Sequence, residues 1–211
     1  MSLDAIPGCI DQVATRYAAV PGPGEIERAR QEFDGLRGKI YDDDELYPIH
    51  MAAFLEWFVI ERPLSGGEPP VVRALREGAG GLDRELLRAL AASHRSLFEV
   101  LAPGPMQVAD LVYGGRWRVA REQPMDAVQA GDAFEGRLIP WRGRVVFGPV
   151  FCFHPRQARP HIHQLVRQAE AEGRLGPSLV FSLAEMRLRY SRFRNIAVER
   201  IYTWSTRGAG R

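Results

Sequence analysis

Lysine is almost missing from this chain. Of its 28 basic residues only Lys39 is not an arginine, a habit that reflects a GC-rich coding sequence better than a binding role. Cysteine is nearly as scarce. Cys9 and Cys152 are the only two, and without a CxxC pair they exclude a disulfide framework and point to reduced thiols in a cytoplasm. No apolar run is long enough to span a membrane. The opening MSLDAIPGCIDQV lacks the basic and apolar regions of a secretion signal. A Gly-rich phosphate loop, G-x-S-x-G and H-E-x-x-H are all absent, so the motifs assign no catalytic residue, no metal and no cofactor. Repeats and low-complexity segments are absent too.

What is present describes an ordinary globular protein: 211 residues, 45% apolar and 26% charged, enough to bury a core. The charge is unevenly placed. Residues 1–100 carry 17 acidic and 11 basic residues, and residues 101–211 carry 9 and 17, a net −6 against +8. Such an imbalance marks a half that faces nucleic acid, or two halves that attract each other within one fold.

The first ninety-odd residues have helical periodicity. Ile6, Ile10, Val13 and Tyr17 share a face, PGPG at 21–24 interrupts, and Ile26, Ala29, Phe33 and Leu36 resume it up to a stop at Gly38. Leu46, Ile49, Ala53, Phe54, Trp57 and Phe58 form the widest apolar stripe, closed by Arg62-Pro63. Pro69-Pro70 opens a short helix, and Asp83 caps another across Leu86, Leu87 and Leu90. After Ser96 come five short β-branched or aromatic segments: SLFEVL, MQVADLVYG, RWRVARE, AFEGRLIPW and RVVFGPVFCFHP. Turn signals separate them. In the last, Val145, Phe147, Phe151 and Phe153 fall on one face, and Val146, Val150, Cys152 and His154 on the other. Helix returns over 157–172. Near 182, Ser182 and Glu185 read as a capping box with Phe181 and Met186 as its staple. They would start one stripe of six turns through Met186, Tyr190, Phe193, Ala197, Ile201 and Trp204. The expected class is α+β: a helical region over 1–95, a small five-stranded, largely antiparallel SH3- or OB-like unit over 96–155, and C-terminal helices over 156–211 that pack on the rest.

FLEWFVIERP (54–63), SLFEVL (96–101), ADLVYGGRWRV (109–119) and GDAFEGRLIPWRG (131–143) together resemble a group of uncharacterised bacterial proteins. In that group a helical region leads into a small β-unit, and some members carry a SEC-C zinc motif. The resemblance implies the same architecture and a binding or adaptor role. The SEC-C cysteine cluster is absent here, so it implies no zinc.

Three stretches invite a functional reading. CFHPRQARPHIH (152–163) gathers Cys152, His154, His161 and His163. Two histidines two residues apart on a helix point about 200° apart, however, and the spacing fits no zinc pattern, so the stretch reads as a strand-to-helix junction. The acidic run Asp42-Asp43-Asp44-Glu45 precedes a helix, where carboxylates cap free N–H groups. Toward the C-terminus stand Arg187, Arg189, Arg192, Arg194, Arg200, Arg207 and Arg211. Of these, Arg187, Arg189, Arg194 and Arg200 border the expected apolar stripe. RWRVAR (116–121) interleaves arginines with Trp117, as an oligonucleotide-binding sheet does. The expectation from these residues is a non-enzymatic cytoplasmic interaction or regulatory (adaptor) protein. It would bind a protein partner through Arg187, Arg189, Arg194, Arg200 and Trp117. The alternative is nucleic-acid binding through the same basic half, and a third reading is a hydrolase whose motif is hidden.

Overall fold

Proline and glycine punctuation divides the N-terminal region into helices, as the computed structural model of the chain makes plain. The structure describes residues 5–20, 22–78, 80–120 and 127–204. Five helices come first: α1 (Ala5–Tyr17), α2 (Glu25–Arg37), α3 (Tyr47–Ile60), α4 (Pro70–Glu77) and α5 (Arg84–Ala91). Pro48 and Pro70 occupy first-turn positions, where no backbone donor is needed. Asp83 caps α5 as expected, its Oδ1 accepting from the Glu85 and Leu86 amides. α3 is apolar nearly all round and runs through the centre, burying Phe54, Trp57, Phe58, Val59 and Ile60.

Among the described residues there are six strands, β1 (His94–Ala102), β2 (Gln107–Asp110), β3 (Arg116–Arg118), β4 (Ala133–Trp141), β5 (Arg144–Phe147) and β6 (Cys152–Phe153). They form one antiparallel sheet in the order β3-β2-β1-β4-β5. β5 and β6 divide the far edge of β4 between them, β5 along Leu138–Trp141 and β6 along Phe134–Glu135. The sheet curls into a half-barrel, because the Ala120 amide donates to the Val145 carbonyl and draws the two ends together. Each of the five expected segments contributes a strand, although Arg121 and Glu122 of the third lie outside the described residues. The fifth breaks into β5 and β6 around Gly148, yet its two faces divide as the alternation requires. Val145, Phe147, Phe151 and Phe153 join the barrel interior, and Val146 and Val150 join the helical core.

Three helices complete the α+β fold: α6 (Arg159–Ala171), α7 (Pro177–Arg192) and α8 (Val198–Ile201). α7 lies against α2 and meets Gly38, the residue that follows α2, through Glu185 and Leu188. There a Cβ would stand 3.1 Å from Glu185 Cγ, a tight but adjustable contact, while the φ of +88° is what favours glycine.

Three expectations are corrected. Ser182 does not cap a helix, because Gly176-Pro177 starts α7 earlier; its hydroxyl instead donates back to the Ser178 carbonyl. The six-turn stripe is broken. α7 ends at Arg192, where the Ser191 hydroxyl takes up the Leu188 carbonyl and Arg192 is drawn onto Asp44, so Phe193 and Ile196 are exposed. The acidic run is not a cap either. α3 begins after Leu46 with no side-chain cap. Asp44 instead closes a turn through the Tyr41 amide and binds Arg192, which holds its carboxyl below the usual range.

Candidate functional site

Alternation along a strand decides which side chains meet. On β1 and β4 the odd-numbered residues face the helices, and among them are Arg95, Glu135 and Arg137. The register sets Arg95 directly opposite Arg137 and Leu97 opposite Glu135. Two guanidinium groups face to face across an antiparallel pair repel each other, so an acid must stand between them. Glu61, the residue that ends α3, supplies it. Its Oε1 accepts from Arg95 Nε at 3.0 Å, from Arg95 Nη2 at 2.7 Å, and from Arg137 Nη2.

The lattice extends inward from this bridge. Arg95 Nη1 donates to Glu135 Oε1 at 3.3 Å, and Arg37, from the end of α2, donates to both Glu135 oxygens at 2.5 Å. Arg137 Nε donates to Glu56 Oε2 at 3.2 Å, and its Nη1 donates to the Ser93 hydroxyl, which in turn donates to the Leu90 carbonyl. Arg95 also lies 4.7 Å over the Phe181 ring of α7. Six charged side chains from α2, α3, β1 and β4 thus form one connected network between sheet and helices.

The carboxyls are shifted in opposite directions. Burial works against the charged form of Glu135 and Glu61, but the guanidinium pairs outweigh it and hold both carboxyls below their ordinary range. For Glu56 burial wins over Arg137 and Arg95, and its pKa rises. Its Oε1 has no hydrogen-bond partner, and Gly148 packs so closely that a Cβ there would stand 3.1 Å from it.

Where the network reaches the surface it opens into a cleft of about 180 Å³. Glu61, Arg95 and Arg137 form the floor, Ser93, His94 and Tyr113 one side, and Pro177, Val180 and Phe181 of α7 the other. On the barrel side His94 Nε2 lies 3.1 Å from Asp110 Oδ2, and Asp110 Oδ1 accepts from the Ser96 hydroxyl and from the Val112 and Tyr113 amides. Burial pushes the Asp110 carboxyl up, but these donors together bring it below its ordinary value. Tyr113 and Trp117 pack around His94 at 5.8 and 6.0 Å between ring centroids. His94 and Asp110 are arranged as a base and its orienting acid. Of the serine hydroxyls beside them, Ser96 donates to Asp110 itself and Ser93 donates to the Leu90 carbonyl.

Of the residues singled out in the sequence, only Trp117 adjoins this cleft. Arg187 is half-buried and donates to the Phe153 carbonyl at 2.8 Å. Arg194 pairs with Glu45 on the surface, and Arg189 and Arg200 are exposed. Arg121, Arg207 and Arg211 lie outside the described residues. The Cys152 stretch is dispersed. His154 is buried with its Nδ1 in hydrogen-bond contact with the Tyr202 hydroxyl at 2.9 Å, while His163 sits 2.8 Å from Glu99. No three metal-ligating side chains converge among the described residues. Sequence reasoning does not find the lattice, because its charges stand singly in separate segments and meet only in the fold. The available signal was acid and arginine inside otherwise apolar segments: Glu56 in FLEWFVI, and Glu135 and Arg137 in AFEGRLIPW.

Comparison of the chain with protein-family models, with curated proteins and with solved structures finds no match.

Proposed function

We propose that the protein is a non-enzymatic interaction or regulatory protein that recognises a partner protein with the face containing the cleft. The observation that carries this reading is the cleft itself. At about 180 Å³ it is smaller than the roughly 300–1,000 Å³ of small-molecule sites and suits one anchoring side chain. Tyr113, 54% exposed, stands at its lip, an aromatic of the kind that dominates binding energy at interfaces. Arg189, Arg200 and the exposed Phe193 and Ile196 offer a second contact surface at the end of α7.

A protein is preferred to nucleic acid because much of the C-terminal positive charge is already used. Arg192 and Arg194 are paired with Asp44 and Glu45, so among the described residues these two arginines at the end of α7 already face carboxylates rather than standing free for a phosphate backbone. Buried, unpaired Cys9 and Cys152 support a reducing cytoplasmic setting. Among the described residues no helix is long and apolar enough to cross a membrane.

The test is affinity capture from the native host with and without nuclease. A protein partner should survive nuclease. It should be lost with Tyr113→Ala and kept with Tyr41→Ala, a tyrosine of matching exposure elsewhere on the surface. Loss on nuclease treatment, or salt-sensitive binding of single-stranded RNA, would favour the nucleic-acid reading instead.

A further inference from the structure

Glu61 is held unlike the other acids of the lattice. Glu135 and Glu56 are sealed in, whereas the Glu61 side chain is 27% exposed. It follows the last residue of α3 as its C-cap, its amide donating to the Trp57 carbonyl. All three of its guanidinium contacts fall on Oε1. One oxygen therefore serves two cations, although a carboxylate can offer one oxygen to each in paired, charge-assisted bonds.

The floor of the cleft is thus a carboxylate site occupied by an internal carboxylate in an incomplete fashion. We propose that the cleft is the socket for an acidic side chain, aspartate or glutamate, of the partner protein, which takes the place of Glu61 between Arg95 and Arg137. This rests on the protein-partner reading above. Charge favours it: the lattice holds three guanidinium groups against three carboxyls, and Glu61 is the only partly exposed one of the three, so once Glu61 leaves, three cations face two buried acids and an incoming carboxylate restores the balance. Shape favours it as well, because Pro177, Val180 and Phe181 give an apolar wall for the methylene stem of the guest. On displacement Glu61 swings into water, which solvates its charge, while the incoming acid keeps both arginines paired. The exchange therefore leaves no buried cation uncompensated.

The experiment uses N-acetyl-glutamate amide as probe and N-acetyl-glutamine amide as its neutral control. Side-chain Nε–Hε resonances of Arg95 and Arg137 are followed by NMR on the intact protein. The acidic probe should move both resonances and the neutral one neither. In Glu61→Gln, where the competing carboxylate is gone, the apparent affinity should rise about tenfold or more, because the closed state no longer taxes binding. The probe should also raise the melting temperature of that variant more than that of the wild type. If the wild-type arginine resonances ignore the acid, or respond equally to acid and amide, the socket is overturned, whether or not Glu61→Gln folds. A captured partner whose binding survives exchange of each of its acidic residues for an amide overturns the socket and leaves the interaction reading standing. Absence of any captured protein fails that reading and leaves the probe titration to decide the socket.

Discussion

On one face of β4, Phe134 and Leu138 meet an apolar barrel interior, with the rings of Phe98, Phe147 and Phe153 at 5.8, 5.3 and 5.0 Å from that of Phe134. On the other, two residues of the same strand, Glu135 and Arg137, enter a charged network that is equally hidden from water. The apolar face is stabilised by area removed from water, at about 25 cal/mol per Å², and it accepts any side chain of suitable shape. The charged face gains little net stability from its pairs, since desolvation offsets most of the attraction. What it supplies is a requirement that particular partners arrive together. One strand thus combines a tolerant core with a demanding one.

That contrast is broken or kept by shape-conserving replacements on the two faces. Glu135→Gln strips charge from the partner of both Arg37 and Arg95 and should cost about 3–5 kcal/mol. Leu138→Met should cost less than about 1.5 kcal/mol. Urea midpoints at neutral pH measure both, and equal losses would end the distinction.

Acid sharpens it next. His50 and His154 are pushed down to about 3 from an ordinary 6.5, first by burial, with Arg37 and Arg30 adding to the effect at His50 and Arg187 and Arg37 at His154. Below 6.5 the unfolded chain takes up protons that the fold refuses. Stability should therefore fall as pH falls, by about 1.4 kcal/mol per pH unit for each histidine. Glu61 and Glu135, lowered from 4.5, add to this loss only below their ordinary value. Glu56, raised, acts in the opposite sense, costing stability as pH climbs from 4.5. Replacing His50 and His154 with glutamine should flatten the slope between 6.5 and 4.5. An unchanged slope would place the acid sensitivity elsewhere.

The smallest effect belongs to the surface. Arg194 and Glu45 pair with side chains 68% and 53% exposed, so Arg194→Ala should alter stability by no more than about 0.5 kcal/mol. A larger loss, diminishing at high salt, would mean that the acidic and basic halves hold each other through such pairs.

These differences also explain what could be read from the chain. The helices carrying Ile6, Ile10, Val13 and Tyr17, or Leu86, Leu87 and Leu90, were legible because a periodic stripe needs only local geometry. The barrel strands were legible because Phe147, Phe151 and Phe153 alternate with residues of the opposite face. The end of α7 was not, since it depends on Arg192 finding Asp44 far away in the chain. Nor was the cleft. It exists only because the register sets Arg95 against Arg137 and α3 ends where Glu61 can reach both, and neither fact leaves a mark on local spacing.

The shared lattice also restricts how this sequence can drift. Arg37, Arg95 and Arg137 each lean on an acid from another element, and Glu135 and Glu61 each serve two arginines. A lone replacement at one of these positions strands a neighbour of opposite sign, and only a second change at that neighbour restores the balance. Related chains should therefore vary there in matched sets, with 37, 95 and 135 moving together and 61 following 95 and 137, while Leu138 and Phe147 across the strand are free to change one at a time.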